Sequence, residues 1–179
     1  MSIVVVLSSG KTVEAGLVGK EGIVGLPAVA GRKRSPLREV VQISGDGFRI
    51  RIAALRNMLK LSPVLDGNLK RYASIFGMQV AQTAACNRLH DTDRRLARWI
   101  LMALDRVDTA QLHITHDFLA TMLGTDRSSV SVAAGVLQKR GIIKYSRGMV
   151  KILDRQHLET SACECYRVIQ DSTEDRAWT

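Results

Sequence analysis

The sequence contains no apolar run long enough to cross a membrane, since a spanning helix needs roughly 18 or more apolar residues. The run at residues 3–7 is also too short for the core of a signal peptide, and no cleavage pattern follows it. We therefore expect a cytoplasmic protein without a membrane partner.

Cysteine is scarce as well, with only Cys86, Cys163 and Cys165 present. An odd number without regular spacing does not indicate a disulfide framework. Cys163 and Cys165 form a C-x-C pair, but the sequence shows no second pair to complete a metal site. We therefore expect reduced structural thiols, as is usual in the cytosol, and neither a metal nor another cofactor.

The balance of charge is strongly positive, with 26 basic and 17 acidic side chains and a formal net charge of +9. Residues 1–87 carry 12 basic and 5 acidic side chains, residues 88–155 carry 12 and 7, and residues 156–179 carry 2 and 5. A basic body with an acidic tail favours a polyanionic partner, because lysine and arginine release counterions when they bind phosphates. Charge alone does not separate DNA from RNA or from anionic lipid.

The first 55 residues are rich in valine, isoleucine and glycine, and their patterns predict short strands separated by turns. The predicted strands cover residues 3–7, 12–18, 39–43 and 48–52. Alternating apolar residues on both sides of residues 45–47 predict that the last two strands form a hairpin.

A short helix over residues 53–61 and a long helix over residues 64–88 are predicted next. Apolar positions in the long helix recur at spacings of three and four, which is typical of one buried helix face. Two arrangements would bury this face. One is a coiled coil between two copies of the chain, which we prefer, and the other is a helix folded back on the sheet.

The pattern from Asp91 onwards predicts a compact helical unit. A helix over residues 91–107 has an apolar face, with Arg94, Arg95 and Arg98 expected on the opposite face. Helices over residues 116–123 and 127–140 follow, with the turn between them at Gly124, and this arrangement is typical of a helix-turn-helix. Residues 142–153 then predict a β-hairpin, or wing. A helix-turn-helix followed by a wing is a much more specific pattern than a pair of helices alone.

In a helix-turn-helix the start of the second helix lies in the major groove, where each base pair displays a distinct pattern. The candidates for DNA contact on this helix are Arg127, Ser128, Ser129 and Ser131. Arg127 can bind either a guanine or a phosphate, and both remain open. The candidates for phosphate contact elsewhere are Thr115 and His116, at the start of the preceding helix, and Lys144, Arg147 and Lys151 on the wing.

Several segments resemble the cyclic-AMP receptor protein family of bacterial regulators, also called Crp/Fnr. These segments are residues 94–101, 114–130, 141–155 and 158–166, the last of which resembles the tail helix of one branch of the family. The resemblance implies an α+β chain with a partial cyclic-nucleotide-binding-like β-roll, a long dimerisation helix and a C-terminal winged helix-turn-helix. The expected boundaries are 1–61 for the roll, 62–90 for the linker helix, 91–155 for the winged domain and 156–179 for a C-terminal helix and tail.

The resemblance also implies that residues 16–36 correspond to the loop that holds the phosphate of a bound nucleotide. Arg34 and Ser35 would form the phosphate-binding pair, with Gly25 in the same loop. Val24 replaces the glutamate that binds the ribose hydroxyl in cyclic-AMP binders, so we expect no cyclic nucleotide. Family members carry further strands before the point where this chain begins, which implies a shortened roll with exposed strand edges.

Pattern and resemblance together predict a sequence-specific transcription regulator that binds double-stranded promoter DNA as a homodimer, with RNA polymerase as a further partner. The alternative is a truncated paralogue that dimerises with intact regulators and does not bind DNA itself. An enzyme is not expected, because the sequence has no set of nucleophile and base and no phosphate-binding loop of the G-x-x-x-x-G-K-[ST] type.

Overall fold

The computed structural model describes residues 1–107 and 109–174, the last of these by its backbone alone. Small antiparallel sheets combine with helices, which confirms the predicted α+β class. The elements in chain order are β1 (Ser2–Val6), β2 (Thr12–Leu17), α1 (Leu26–Val29), β3 (Leu37–Val40), α2 (Ile52–Leu61), α3 (Pro63–Leu89), α4 (Thr92–Leu104), β4 (Gln111–His113), α5 (His116–Leu123), α6 (Arg127–Lys139), β5 (Ile143–Ser146), β6 (Met149–Ile152), α7 (Arg155–Ser161) and α8 (Cys165–Glu174).

The N-terminal sheet has three antiparallel strands in the order β2-β1-β3. The central strand β1 buries Ile3 and Val4, as its run of β-branched residues predicts. The predicted hairpin over residues 39–52 is wrong. Beyond β3, residues 41–51 form no strand, Phe48 is fully exposed, and Ile52 begins α2. An apolar hairpin face is stable only when another layer covers it, and no described element covers this one.

The long helix α3 folds back on its own chain. Its buried positions recur at helical spacing and face β2 and α8: Tyr72, Ile75, Gln79, Thr83 and Cys86. The side-chain amide of Gln79 accepts a hydrogen bond of 2.8 Å from the Leu17 backbone N–H and donates one of 3.2 Å to the Leu17 carbonyl. Gln79 thus pairs with the edge strand β2 much as a neighbouring strand would. The apolar stripe is therefore covered within the chain, which is the second of the two arrangements considered from the sequence.

Helix α4 lies at the centre of the molecule, and every residue from Arg95 to Leu104 is buried. One core joins this helix to α5, α6, the wing and the N-terminal sheet, since Val4 and Leu17 belong to the same apolar cluster as Trp99. The prediction that Arg95 and Arg98 lie on an exposed face is wrong. Because the sheet and the C-terminal helices cover the side of α4 that a free helix would expose, only 7% of Arg95 and 2% of Arg98 remain accessible.

The C-terminal segment forms two helices, α7 and α8, where the sequence predicted one helix and a tail. Residues 162–164 interrupt the helical hydrogen bonding, and α8 then packs against α3. The last five residues of the helix and tail predicted for residues 156–179 lie outside the described residues. Among the helices of the described part, none combines the length and apolar content of a membrane span.

Candidate nucleic-acid interface

The two helices α5 and α6 are fixed by local capping. The Thr115 hydroxyl accepts a hydrogen bond of 3.2 Å from the Phe118 N–H at the start of α5. Gly124 ends α5 with a φ of 60°, a left-handed conformation that glycine adopts without strain. The Asp126 carboxylate accepts a hydrogen bond of 2.8 Å from the Ser129 N–H at the start of α6. These contacts produce the predicted helix-turn-helix with nearly the predicted boundaries.

The amino end of α6 points outward. Val130, Ala133, Ala134 and Leu137 are buried, whereas Arg127, Ser128, Ser131 and Val132 are exposed. Arg127 has 69% of its side chain exposed, and its Nε lies 3.6 Å from Asp117 Oδ2, which is equally exposed. An ion pair in such surroundings is weak, so a phosphate or a base can displace it.

The two serines at this end are engaged in the helix cap. The hydroxyls of Ser128 and Ser129 both donate hydrogen bonds to Asp126, the second at 2.8 Å. The Ser128 hydroxyl contributes most to holding the pKa of Asp126 well below its usual range, followed by the Ser129 backbone and hydroxyl groups. Asp126 therefore stays ionised, and each serine must give up a hydrogen bond before it donates to DNA.

His116 and Ser131 contact each other across the seam between α5 and α6. His116 Nδ1 lies 2.8 Å from Ser131 Oγ, and its ring packs against Tyr145 with 4.2 Å between ring centroids. Burial, reinforced by the positive charge of Arg127, lowers the pKa of His116, so the ring is neutral at pH 7. The sequence did not reveal that this pair joins two helices to the wing.

The wing is a tight β-hairpin with a two-residue turn. Arg147 and Gly148 have φ values of 50° and 74°, so Arg147 is exposed at the tip in a conformation that side chains other than glycine seldom adopt. The Gly148 carbonyl accepts a hydrogen bond of 2.7 Å from the Ile114 N–H, which places the tip beside the start of α5. Lys144 and Lys151 face each other across the strands on the outward side, because their neighbours Ile143 and Val150 point into the core.

The N-terminal candidates lie on surface loops. Gly25 precedes the single turn α1 with a φ of 87°. Arg34 and Ser35 are exposed, and the Ser35 hydroxyl is within hydrogen-bond distance of both backbone groups of Leu37. Their assignment to a phosphate site stays a prediction, as does the assignment of each residue to DNA.

The sequence interpretation also missed a cluster of thiols and an imidazole. Cys86, His90, Cys163 and Cys165 lie together, with their Sγ and ring nitrogen atoms all within 4.8 Å of one another. The sequence alone predicts no set of metal ligands, because it shows no second pair to complete the C-x-C motif. The available signal was the spacing of Cys86 and His90, four residues apart, which places both on one face of α3.

Three helices with a helix-turn-helix and an adjoining β-hairpin define a winged helix-turn-helix domain, a class that places its second helix in the major groove of DNA. The match to known families agrees, since residues 94–161 match the Crp-like helix-turn-helix domain. This part of the chain is therefore a Crp-like helix-turn-helix domain. The solved structures that share the fold of the longer chain are regulators of the Crp/Fnr family.

Solved structures of that family share the fold over most of this chain. A Crp/Fnr regulator from Eubacterium rectale is 19% identical, with a TM-score of 0.64 over 93% of this chain and 76% of its own. A Crp/Fnr regulator from Thermus thermophilus is 20% identical, with a TM-score of 0.64 over 90% and 82%. The c-di-GMP-responsive global regulator from Xanthomonas campestris is 19% identical, with a TM-score of 0.60 over 84% and 79%. No curated protein sequence matches the chain.

Proposed function

We propose that this chain binds promoter DNA as a sequence-specific regulator, with α6 in the major groove. The observation that carries this proposal is the exposed amino end of α6, where Arg127 projects from a rigid, capped helix. The wing tip beside the start of α5 gives a second, flanking contact. A positive net charge of +9 supports binding to a phosphate backbone.

The outward face of α6 supports base contact as well as phosphate contact. Val132 lies one turn after Ser128 on this face and is 68% exposed. An exposed apolar side chain in the major groove is suited to contact with a thymine methyl group. In this proposal Val132 contacts a base, and Arg127 contacts either a base or a phosphate. Ser128 and Ser129 contact the backbone or bases after they release Asp126.

The remaining candidates divide into two kinds. Thr115 and Arg147 lie at the start of α5 and at the wing tip, where they contact phosphates in this proposal. His116 and Ser131 hold α5, α6 and the wing together and act as positioning residues. Lys144 and Lys151 add positive charge on the outward side of the wing sheet and attract DNA at longer range.

We further propose that the chain acts as a homodimer through the side of α3 that faces away from β2. Small residues occupy much of this face, including Ala73, Gly77, Ala81, Ala84 and Ala85, and Met78 is 48% exposed among them. Small side chains allow two helices to approach closely, and an exposed methionine gains from burial. A two-fold dimer would place two copies of α6 on half-sites about one helical turn apart.

Capture of genomic fragments by the purified chain tests DNA binding and yields the binding site. We expect enrichment of fragments with a near-palindromic sequence. Affinity for such a fragment should fall steeply as salt rises from about 50 to about 200 mM, because bound phosphates release counterions. If no fragment is enriched and the chain instead co-purifies with an intact paralogue, the truncated-partner alternative replaces this proposal.

A further inference from the structure

Two distant parts of the chain supply the Cys/His cluster, by which we mean Cys86, His90, Cys163 and Cys165. Cys86 lies in the last turn of α3, and His90 caps the same helix, with its backbone N–H bonded to the Cys86 carbonyl at 3.1 Å. Cys163 lies in the connection between α7 and α8, and Cys165 is the first residue of α8. Packing of α8 on α3 therefore brings two i, i+4 ligands against a C-x-C pair.

Two separations within the cluster are close to those of a tetrahedral metal site. Cys86 Sγ lies 3.4 Å from Cys163 Sγ, and Cys165 Sγ lies 3.5 Å from His90 Nδ1. In a zinc tetrahedron, with bonds of about 2.3 Å to sulfur and about 2.0–2.1 Å to nitrogen, those separations are about 3.8 and about 3.6 Å. Small side-chain movements are enough to admit an ion at the centre.

The groups around the cluster already orient its ligands. His90 Nε2 lies 3.2 Å from Glu164 Oε1, so the carboxylate fixes the tautomer in which Nδ1 is free to bind a cation. A carboxylate behind a histidine ligand is the usual partner in protein zinc sites. Gln82 Nε2 donates a hydrogen bond of 3.1 Å to Cys165 Sγ, which stabilises a thiolate.

A buried cation beside the cluster provides a second, independent indication. Arg98 is 2% exposed and lies close enough to Cys86 for electrostatic attraction. One of its nitrogens donates to Met102 Sδ at 3.2 Å, but its Nε has no hydrogen-bond partner among the described residues. A buried guanidinium of this kind is stabilised by an anionic neighbour. Three thiolates and a neutral imidazole around a divalent cation carry one net negative charge.

We infer that the Cys/His cluster binds one zinc ion through the three sulfurs and His90 Nδ1. The ligand set favours zinc, because thiolates with one imidazole in a closed tetrahedron are typical of structural zinc sites. Binding converts three thiols to thiolates and releases three protons to solvent, and no electron is transferred. The ion would hold the end of α3 against the α7–α8 connection, directly before α4 begins.

Metal analysis of the full chain tests this inference and needs no DNA. The protein is purified with a tag that contains no histidine, and its metal and acid-labile sulfide are measured. We expect about one zinc per chain and no sulfide. Three freely reactive thiols without zinc, a Cys86–Cys163 disulfide, or iron with sulfide would each overturn the proposal. Failure here leaves the DNA-binding proposal intact, because that proposal is tested by fragment capture.

Paired variants separate ligation from general effects on folding. His90→Gln should lose most of the zinc, whereas His113→Gln, a change at an exposed position of β4, should keep it. His90→Cys should keep zinc, because four thiolates also form a tetrahedral site. If His90→Gln does not fold, the metal contents of His90→Cys and of the wild type still show whether the cluster binds zinc. Loss of zinc from His113→Gln as well would contradict the assignment.

The role of Glu164 has its own test. Glu164→Gln should weaken zinc binding roughly 10- to 100-fold in competition with a chromophoric chelator, since the partner of a ligating histidine tunes the metal site. Asp171→Asn removes an exposed carboxylate from α8, the helix that follows Glu164, and should leave the affinity unchanged. Cobalt substituted for zinc should give the intense visible absorption of a tetrahedral thiolate site. Its absence would rule out this geometry.

Discussion

The indole Nε1 of Trp99 donates a hydrogen bond of 3.0 Å to Glu14 Oε1, and this bond joins the N-terminal sheet to the central helix of the winged domain. Glu14 is 5% exposed and also accepts hydrogen bonds from Ser2 and Gln42. Burial raises the pKa of Glu14 to about 7, although the hydrogen bonds from Ser2 and Trp99 oppose the rise. A carboxyl at the centre of the molecule is thus held half-protonated near neutral pH.

This raised pKa predicts that stability falls with rising pH. The unfolded chain loses the Glu14 proton near pH 4.5 and the folded chain near pH 7, so the folded state binds more protons between those values. Glu14→Gln should match the wild type near pH 4.5 and exceed it by roughly 1–3 kcal/mol above pH 7. Denaturant unfolding from pH 4.5 to 8 measures this difference. Glu39→Gln, on the exposed part of β3, should leave the pH dependence unchanged, and a Glu14→Gln variant that still follows the wild-type profile would refute the assignment.

Loss of the Arg127 side chain should weaken DNA binding without destabilising the fold. Arg127→Ala removes a base or phosphate contact, and we expect affinity for the captured site to fall about 5- to 150-fold. Its exposed pair with Asp117 contributes little to stability, so the melting temperature should stay the same. Anisotropy titrations with cognate and scrambled DNA measure the effect. Arg167→Ala, an exposed arginine on α8, is the matched control and should bind normally.

The same titrations separate the two roles left open for Arg127. A base contact predicts that Arg127→Ala loses discrimination at one base pair while keeping its salt dependence. A phosphate contact predicts equal weakening on all sequences and a salt slope reduced by about one. Unchanged affinity on every DNA would remove α6 from the interface.

A charge on the outer face of α3 should separate the proposed dimer. Met78→Glu places a carboxylate where a second copy of α3 would pack, so light scattering after size exclusion should show monomers. Affinity for a DNA fragment with two half-sites should also fall, because separate monomers bind the half-sites independently. Met58→Glu changes a methionine of nearly equal exposure on α2, 47% against 48%, and should remain dimeric. A wild-type chain that is monomeric at all concentrations would contradict the dimer itself.

Two glycines of the helix-turn-helix should respond in opposite ways to alanine. Gly124 has a φ of 60°, and a Cβ there would lie 2.9 Å from Val13 Cγ2 in β2. Gly124→Ala should therefore destabilise the fold by about 1–3 kcal/mol. Gly135 lies within α6 with open space around it, so Gly135→Ala should stabilise the fold by about 0.5–1 kcal/mol. Thermal or denaturant unfolding of both variants measures the contrast, and equal effects would contradict it.

The winged domain could be predicted from the sequence because its signals are local. Thr115 and Asp126 cap the starts of α5 and α6, and Gly124 ends α5. These caps involve only neighbouring residues, so the sequence predicts the limits of both helices almost to the residue. The burial of Arg98 could not be read in the same way, because a helical pattern does not show that a sheet and a second pair of helices cover its polar face.

The Cys/His cluster was missed for a related reason. Cys86 and Cys163 are separated by 77 residues in sequence, and only the packing of α8 on α3 brings them together. The strand expected at residues 48–52 is the opposite case, because the sequence predicts it and the structure does not form it. Apolar residues do alternate along this segment, but no described element lies where it could bury Phe48.

The contact between Val13 and Gly124 has a mechanical consequence. Strand β2 lies directly against the turn that precedes α6, and the sheet shares its apolar interior with α4. A rotation of the sheet away from the winged domain would open Trp99 and Val4 to water and break the bond to Glu14. Separating the sheet from α6 would therefore expose part of this shared apolar interior. Under the proposed function, a change in DNA binding would have to deform that interior or alter how two chains are joined.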